Sequence, residues 1–549
     1  MQNTIYMQQV KSIEPAGANT SRGLNSIFLL ASVFITGSCV LIIEILAIRL
    51  LSPYYGNTIY TTSSVLGIVL AALSLGYYFG GKLADNRPSH SLFYGIIFAS
   101  GILTVLTHVL GNAFLPSLSA FFSIKSGPLV SSALLFFIPA LMLGTLSPFA
   151  IKLNKKDEAK AGSESGQVFF WSTLGSIVGS LLAGFILIPV FGISVIIIGT
   201  GTVLGVLGIA GFLFSSRNSN PDVQRLSLKK CVMMALILLA AVFLARTFVS
   251  GKPLGLVYEK AGVYEKIKII DGDWYGTPAR FLFQDRSYSA AMYLASDELV
   301  YDYTKYYKLF ELFNKNPKEA LVIGGGAYSI PKALLQEMVQ GASEAGFATS
   351  PVSGISVDVA EIEPELLALA KEYFRFKESD RFANYTEDGR RFLQQSNKNY
   401  DIIFSDVYYS LFSVPAHFTT EEFFTLAKKR LSEGGIFLGN FGGFARGRSS
   451  ELILSEMKTF REVFDNSYFF GVRGADFDGV QNIIFLGVNG EKPIDFDSKE
   501  VLENKSPIIS SLKEHVIGIE SLDFSNVKKL TDDYAPVEYL IGKVIDRWQ

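Results

Sequence analysis

The sequence contains few cysteines, histidines and charged residues for a chain of 549 residues. Its two cysteines, Cys39 and Cys231, both lie in apolar stretches, and its four histidines are scattered along the chain. We therefore expect neither a disulfide framework nor a metal site. Charged residues make up 18% of the chain, against roughly 25% in soluble domains. This apolar composition excludes disorder over most of the chain.

The charges that are present divide the chain into two parts. Residues 26–250 contain 13 Lys and Arg against 6 Asp and Glu, whereas residues 251–549 contain 34 against 44. An apolar part with basic loops, followed by an acidic part of ordinary composition, is typical of a membrane domain that precedes a soluble domain. The acidic second part also argues against a nucleic-acid partner, which would bind a basic surface.

The apolar part contains seven segments long enough to cross the roughly 30 Å hydrocarbon core of a bilayer as helices. We predict an N-terminal tail at residues 1–25 and a multi-span α-helical membrane domain, with the lipid bilayer as its partner, at residues 26–250. Small residues recur in these segments, as at Gly67 and Gly76, Gly175-Ser176 and Gly179-Ser180, and let helices pack closely in lipid. The segments lie at about residues 26–51, 59–81, 91–114, 128–151, 167–190, 193–214 and 230–249.

The second part begins with short alternating segments and continues with strands that alternate with helices. Residues 264–271 and 280–285 predict two strands with a turn at Gly272-Asp273, and residues 297–314 predict an amphipathic helix. The later alternation indicates a mostly parallel sheet with helices on both faces. Its predicted strands are 320–325, 356–363, 400–406 and 434–441; its predicted helices are 329–339, 364–374 and 420–431; residues 340–353, small and polar, predict a mobile loop.

Residues that suit a nucleotide site end three of the predicted strands and also lie where one further strand would end. Gly324, Gly325 and Gly326 follow the first apolar strand and precede a helix, so the backbone can approach a ligand closely. Glu361 ends the second strand, where an acid can accept both hydroxyls of a ribose. Asp388, followed by Gly389, lies where a third strand would end. Its carboxylate could accept a hydrogen bond from an adenine amino group there. Asp406 ends the fourth, beside the crevice in which open α/β sheets bind ligands.

These motifs also carry a family resemblance. The segments GGGAYS, AEIEPELLALAKEYF, EDGRRFL, YDIIFSDVYY and HFTTEEFF…LSEGGIF resemble, in this order, the successive motifs of the spermidine synthases, the polyamine aminopropyltransferases. DELVYDY resembles the substrate-side helix of that family. EILAIRLLSPYYG, LSLGYYFGGKLAD and LTDDYAPVEYL resemble the subgroup in which a multi-span membrane domain precedes the synthase-like domain.

The resemblance implies a small β-domain, here residues 251–305, and a Rossmann-like methyltransferase-type domain, here residues 306–549. It implies decarboxylated S-adenosylmethionine as the donor, a small amine such as putrescine as the acceptor, and no metal. The glycines 324–326 and Gly389 would contact the nucleotide, with Glu361 on the ribose and Asp388 on the adenine. Asp406 would be the catalytic residue that receives or orients the attacking amine, and Tyr301 and Tyr409 would line the amine pocket.

Three positions depart from the family's motifs. Ala327 stands where the family has an acid after the third glycine, Tyr409 where it has a second aspartate three residues after Asp406, and Ser289 where it has a glutamine. In the family these groups help to bind the cationic aminopropyl arm and the diamine. Their loss favours an alternative in which intact S-adenosylmethionine donates a methyl group. A third hypothesis is a non-catalytic polyamine or nucleoside sensor. For the protein as a whole, a homodimer is one candidate assembly.

Two arguments disagree about the side of the membrane on which residues 251–549 lie. One argument rests on the charge distribution, and the other rests on where the predicted donor is found. Lysines and arginines concentrate in the loops on the side of the N-terminus, so the positive-inside rule places that side in the cytoplasm. With seven spans the second part would then lie outside, whereas its predicted donor is made and kept in the cytoplasm. We give the donor chemistry slightly more weight and predict a multi-pass protein of the cell membrane with a cytoplasmic catalytic domain.

Overall fold

The computed structural model describes residues 16–154, 161–216, 221–247, 254–336, 352–408, 414–447, 449–525 and 527–548. The chain forms two compact units. The first comprises residues 1–50, 63–115 and 129–250, and the second comprises residues 51–62, 116–128 and 251–549. The last segment of the first unit ends at residue 250, where the predicted membrane domain also ends. The predicted loop at 340–353 lies almost entirely outside the described residues.

Seven helices within the described residues are long and apolar enough to cross a membrane. The first begins at Ala16, because residues 16–25, predicted as part of a tail, continue the same helix. The helices, with the bounds of their apolar stretches, are α1 (Ser26–Tyr55), α2 (Ile59–Asn86), α3 (His90–Phe121), α4 (Gly127–Asn154), α5 (Ala161–Val190), α6 (Ile193–Ser216) and α7 (Gln224–Thr247).

Small residues let these helices approach one another closely. A Cβ atom on Gly175 of α5 would lie 2.0 Å from the carbonyl oxygen of Phe34 in α1, and one on Gly179 would lie 2.3 Å from that of Ser38. The Ser38 hydroxyl donates across the same contact to the carbonyl oxygen of Gly175 at 2.8 Å. Gly76 of α2 meets the backbone of α4 in the same way, but Gly67 has no atom within 4 Å of its Cβ position. Only part of the predicted small-residue set therefore lies at helix contacts.

The second unit begins with a four-stranded antiparallel sheet of order β1-β2-β3-β4. Its strands are β1 (Leu256–Ala261), β2 (Lys266–Trp274), β3 (Thr277–Gln284) and β4 (Ser287–Tyr293). The turn between β2 and β3 lies at Tyr275-Gly276, and the predicted turn at Gly272-Asp273 is wrong. Tyr275 and Gly276 both have positive φ, 49° and 87°, as a tight two-residue hairpin turn requires. The Asp273 carboxylate accepts the amide N–H of Gly276 at 2.7 Å.

A seven-stranded sheet of order β10-β11-β9-β8-β5-β6-β7 forms the larger part of the second unit. Strands β7, β6, β5, β8 and β9 run parallel, and β11 and β10 add antiparallel at one edge. The strands are β5 (Glu319–Ile323), β6 (Ser356–Glu361), β7 (Phe382–Thr386), β8 (Tyr400–Ser405), β9 (Leu431–Gly443), β10 (Ser467–Gly471) and β11 (Gln481–Val488). The strand order reverses between β5 and β8, which defines a Rossmann-like, doubly wound sheet with its crevice at that point.

Helices cover both faces of this sheet, as the alternating strands and helices predict. Ala320 and Val322 of β5 pack into one apolar cluster, which also contains Ile267 of the small sheet. Leu321 and Ile323 face the opposite cluster, rich in phenylalanine. Alternate residues of one strand thus enter two cores, as expected when a parallel sheet is buried on both sides. The helices are α8 (Ser329–Leu335), α9 (Leu366–Tyr373), α10 (Gly389–Gln395), α11 (Glu421–Lys429), α12 (Glu451–Val463), α13 (Lys499–Leu502), α14 (Pro507–Ser510), α15 (Leu512–His515) and α16 (Val537–Trp548).

The amphipathic helix predicted at 297–314 is a 3-10 helix over Asp302–Leu312. Its predicted start is held in a different conformation, because Asp297 is buried and accepts from Lys332 at 2.5 Å and from Arg375 at 2.9 Å. Leu299 also forms an antiparallel bridge to Met292 at the edge of the small sheet. The predicted boundary between residues 305 and 306 therefore falls inside one element.

The contact between α1 and α5 leads to a stability prediction. Gly175→Ala should lower the midpoint of thermal unfolding, because overpacking of a tight contact costs about 1–3 kcal/mol. Gly199→Ala in α6 is the matched control, since no atom lies within 4 Å of its Cβ position. Unfolding can be followed in detergent with a maleimide dye that reacts with the buried Cys39 and Cys231. Equal midpoints for the two variants would contradict a role for this contact in stability.

Candidate active site

The glycine loop after β5 lies against the backbone that follows β8. Gly324 and Gly326 have φ values of 90° and 51°, which glycine adopts at little cost. A Cβ atom on Gly324 would lie 2.2 Å from the carbonyl oxygen of Asp406, and the amide of Asp406 donates to the carbonyl oxygen of Ile323 at 2.9 Å. The missing side chain of Gly324 thus brings the ends of two neighbouring strands together at the crevice.

Glu361 connects this loop to the end of β6. Its carboxylate accepts the amide N–H of Gly325 at 2.6 Å and that of Glu363 at 2.8 Å. The side chain is buried, and burial raises its pKa although the hydrogen bonds from Glu363, Gly325 and Gly326 oppose the shift. Glu361, the predicted acceptor for the ribose, is therefore hydrogen-bonded directly to the predicted nucleotide-binding loop.

Asp388 lies at the start of α10, one strand further along the sheet. Its carboxylate accepts the amide N–H of Arg391 at 3.0 Å and lies 3.1 Å from Nε2 of His417. Burial raises the pKa of Asp388, but the hydrogen bonds from His417 and Arg391 outweigh it and the net pKa is lowered. A Cβ atom on Gly389 would lie 2.1 Å from the Ile323 side chain, so only glycine lets α10 begin this close to β5.

Asp406 is partly buried and is held by residues from two other segments. Its carboxylate accepts from Nδ2 of Asn440 at 2.9 Å, and the Tyr303 hydroxyl also donates to it. Nδ2 of Asn482 in turn donates to Oδ1 of Asn440 at 2.9 Å, which fixes the orientation of the Asn440 amide. Burial raises the pKa of Asp406, and the two hydrogen bonds limit the rise. The raised pKa is the direction that favours the receipt of a proton by Asp406.

Tyr301, predicted to line the amine pocket, belongs to an aromatic group beside Asp406. Its ring stacks on Tyr303 at a centroid distance of 6.0 Å and meets Trp274 edge-on at 5.4 Å. Its hydroxyl is buried without a hydrogen-bond partner among the residues that the structure describes. A buried hydroxyl without a hydrogen-bond partner can donate a hydrogen bond to a ligand or accept one from it. Tyr409, the other predicted pocket residue, lies outside the described residues.

A second carboxyl group, that of Glu456, interacts electrostatically with Tyr408, two residues after Asp406. Glu456 of α12 is only 1% exposed, and within the described part of the chain its Oε2 atom has no hydrogen-bond partner. Burial raises the pKa of Glu456 well above its ordinary value. The pKa of the Tyr408 phenol is raised by burial and further by both Asp406 and Glu456. The two carboxyls therefore act electrostatically on one tyrosine.

The structure brings together most of the residues predicted from sequence and adds several others. The loop 324–326, Glu361 and Asp406 form direct contacts, and Asp388 follows the strand that pairs with β6. Four further residues were not predicted: Tyr303, Asn440, His417 and Glu456. Two of them carried a signal in the sequence. Asn440 is the polar residue in an apolar strand, and Glu456 lies three and four residues after the buried Ile453 and Leu452, on the apolar face of its helix.

The departures from the family motifs also have structural consequences. Ala327 is 2% exposed, and the next residue, Tyr328, turns inward with a positive φ of 58° and donates to Oδ1 of Asn384 at 2.6 Å. The position where the family has an acid is thus occupied by a packed methyl group. No group of three or more histidine, cysteine or acidic side chains suited to a metal ion occurs among the described residues.

The fold and the carboxylates at the strand ends together define a Rossmann-like unit of the kind that binds nucleotides. Residues 308–470 match the spermine/spermidine synthase domain. This part of the chain is therefore similar to the spermidine synthase-like family, as the motif order predicts.

Relatives and solved structures show how far the similarity extends. A polyamine aminopropyltransferase of Vibrio vulnificus (strain CMCP6) is 24% identical over 234 residues, which are 42% of this chain and 72% of that protein. Polyamine aminopropyltransferase 2 of Aquifex aeolicus (strain VF5) is 21% identical over 486 residues, 86% and 87% of the two chains. An alignment of that length cannot fit within the second unit alone. A probable spermidine synthase from Corynebacterium glutamicum superimposes with a TM-score of 0.40 at 18% identity, over 52% of this chain and 98% of that one.

The buried carboxyl of Glu456 predicts a pH-dependent stability. Because its pKa is raised in the folded state, the folded protein keeps the proton where the unfolded chain has lost it. The free energy of unfolding should therefore fall as pH rises above the ordinary glutamate pKa. Glu456→Gln removes this component and should be the more stable form at about pH 8.

Thermal unfolding between about pH 5 and pH 8 tests this expectation. Glu462→Gln is the matched control, since Glu462 lies on the same helix with a 42% exposed side chain paired to Lys529. A Glu456→Gln variant with the same pH dependence as the unaltered protein would show that the carboxyl is not buried in the folded state.

Proposed function

We propose that the second unit is an aminopropyltransferase that uses decarboxylated S-adenosylmethionine as donor and a small amine such as putrescine as acceptor. Similarity of residues 308–470 to the spermine/spermidine synthase domain, and of the chain to polyamine aminopropyltransferases, supports the reaction class. The four strand-end residues support a site for an adenosyl donor. The seven apolar helices support attachment of this enzyme to a membrane as a multi-pass protein.

The donor would lie across the carboxyl ends of β5, β6 and β7. Glu361 accepts hydrogen bonds from the backbone amides of Gly325, Gly326 and Glu363, and the remaining lone-pair capacity of its two oxygens can accept hydrogen bonds from the ribose. The ionised Asp388 can accept the adenine amino group. The glycine loop, which has no side chains to obstruct it, lets the sulfonium lie close to Asp406.

The reaction is a displacement at carbon. The amine nitrogen of the acceptor forms a bond to the aminopropyl carbon while the bond from that carbon to sulfur breaks. The electron pair goes to sulfur, which leaves as the neutral thioether of 5′-methylthioadenosine, and the proton of the new ammonium goes to Asp406. Asp406 and the nearby tyrosines would hold the nitrogen about 3–3.5 Å from the carbon, in line with the departing sulfur.

The observation that carries the proposal is the pair of carboxyls, Asp406 and Glu456, around Tyr408. A cation in a dry site needs compensating charge, since an unpaired buried charge is costly. The family's acids at positions 327 and 409 are absent here, but Glu456 has a carboxyl oxygen in this region that no described residue satisfies. Its carboxyl can hold the second ammonium of a diamine while Asp406 receives the proton from the first.

Methyl transfer from intact S-adenosylmethionine is the second candidate. The packed methyl group of Ala327 favours it, because the glycine loop offers no acid to a bare aminopropyl ammonium. Intact S-adenosylmethionine carries its own carboxylate and does not need that acid. The two reactions share the adenosyl site and differ in the mass that they add to the acceptor.

Incubation with each donor and a panel of amines should distinguish the two reactions by mass spectrometry. We expect a product that has gained one aminopropyl unit. Asp406→Asn should reduce turnover about 10²–10⁴-fold by removing the base, while 5′-methylthioadenosine should still bind within about threefold of the unaltered protein. Asp465→Asn, at a 97% exposed side chain, is the control. Gain of one methyl group would support the second candidate, and no product with any donor would overturn both.

The role of Glu456 can be tested with acceptors of different charge. Glu456→Gln should raise KM for putrescine about tenfold, as expected for loss of one charge-assisted hydrogen bond. KM for butylamine, which lacks the second ammonium, should not change. The exposed Glu462→Gln variant should change neither value. An equal rise of KM for both amines would mean that Glu456 does not bind the second ammonium.

Two opposing arguments bear on the side of the membrane where the enzyme acts. Seven spans with basic loops on the N-terminal side orient the second unit outward. The proposed donor is a cytoplasmic metabolite, and we propose a cytoplasmic site on this ground. Protease treatment of sealed vesicles, with the released fragments identified by mass spectrometry, distinguishes the two orientations.

A further inference from the structure

The C-terminal segment LTDDYAPVEYL contributes a carboxylate, Asp532, to the region around Asp388. Asp532 accepts two hydrogen bonds from the guanidinium of Arg390, at 2.7 Å from Nη1 and 2.5 Å from Nη2. Arg390 follows Gly389 in the first turn of α10, and its side chain is 13% exposed. This is a two-point contact between segments 142 residues apart, and two-point arginine–carboxylate pairs fix orientation as well as distance.

The same guanidinium holds the turn that carries His417. Nη1 of Arg390 donates to the carbonyl oxygen of His417 at 3.0 Å. His417 belongs to a short 3-10 helix, Ala416–Phe418, and its ring lies 3.1 Å from the Asp388 carboxylate. Arg390 thus links Asp532 to the residue that contacts Asp388.

Asp532 also forms hydrogen bonds with residues at the start of α11. Its Oδ1 atom accepts the hydroxyl of Thr420 at 2.8 Å, and Thr420 caps α11 by accepting the amide N–H of Phe423. The amide of Asp532 donates to Glu422 at 3.0 Å. The Asp532 carboxylate therefore accepts hydrogen bonds from two elements, α10, which precedes His417 in the sequence, and the start of α11, which follows it.

We propose that Asp532 is a positioning residue for the adenine end of the nucleotide site. It acts through Arg390 to keep His417 against Asp388, so that the Asp388 carboxylate stays oriented toward the adenine amino group. This inference rests on the proposed function, in which Asp388 accepts that amino group. It also assigns a role to the LTDDYAPVEYL motif, which the proposed reaction does not otherwise use.

The inference predicts an effect that depends on the 6-amino group of the ligand. Binding to the full-length protein in detergent is measured by calorimetry for 5′-methylthioadenosine and for its purine riboside analogue, which lacks that group. Asp532→Asn should weaken binding of 5′-methylthioadenosine about tenfold, as expected for one disturbed hydrogen bond to a charged group. Binding of the analogue should stay within about twofold of its value for the unaltered protein.

Two further variants complete the experiment. Asp533→Asn, a change of the adjacent exposed aspartate, is the matched control and should bind both ligands normally. Arg390→Lys keeps the charge but cannot form the two-point contact, and should show the same selective loss; it replaces Asp532→Asn if that variant does not fold.

The outcomes separate this inference from the proposed function. If Asp532→Asn weakens the binding of both ligands to the same extent, or weakens the binding of neither, Asp532 has no selective effect at the adenine end and acts at most on the fold. Either result would overturn the inference alone. If the unaltered protein binds neither ligand, the proposed function fails and the inference fails with it. Selective loss in Asp532→Asn or Arg390→Lys, but not in Asp533→Asn, supports the inference.

Discussion

The site depends on the close approach between Gly324 and the backbone of Asp406. Any side chain at Gly324 would collide with the Asp406 carbonyl oxygen, 2.2 Å from the Cβ position, and would separate β5 from β8 at the point where the strand order reverses. The same loop donates its amides to Glu361. One conformational property of glycine therefore connects the residue proposed to hold the ribose with the residue proposed to receive the proton.

The surroundings of the acidic side chains around the crevice shift their pKa values in opposite directions. Asp388 is partly buried, yet hydrogen bonds from His417 and the first turn of α10 lower its pKa. Asp406 and Glu456 have raised pKa values because burial dominates. An ionised acceptor suits a neutral adenine amino group, whereas a carboxyl group with a raised pKa suits the receipt of a proton. This difference matches the separate roles proposed for the two ends of the site.

The parts of the site that depend on strand ends could be predicted from the sequence, whereas those that depend on packing between distant segments could not. Glu361, Asp388 and Asp406 were found because a parallel sheet brings the carboxyl ends of its strands to one edge. Tyr303, Asn440 and Glu456 belong to a 3-10 helix, an inner strand and a helix. The apolar surroundings of Asn440 and Glu456 in the sequence mark them as unusual, but they do not show where these residues lie in the fold. The turn at Tyr275-Gly276 was missed because Gly272-Asp273 offers the same local signal three residues earlier.

The absence of an acid at position 327 does not by itself exclude a cationic substrate. A carboxylate on another element, such as α12, can provide the same charge to a bound cation as a carboxylate on the glycine loop. In this chain the loop position is packed with a methyl group, while the α12 position carries a buried glutamate with an oxygen that no described residue satisfies. A buried acid left in this condition is costly to the fold. The proposed function assigns this carboxyl to the second ammonium of the acceptor.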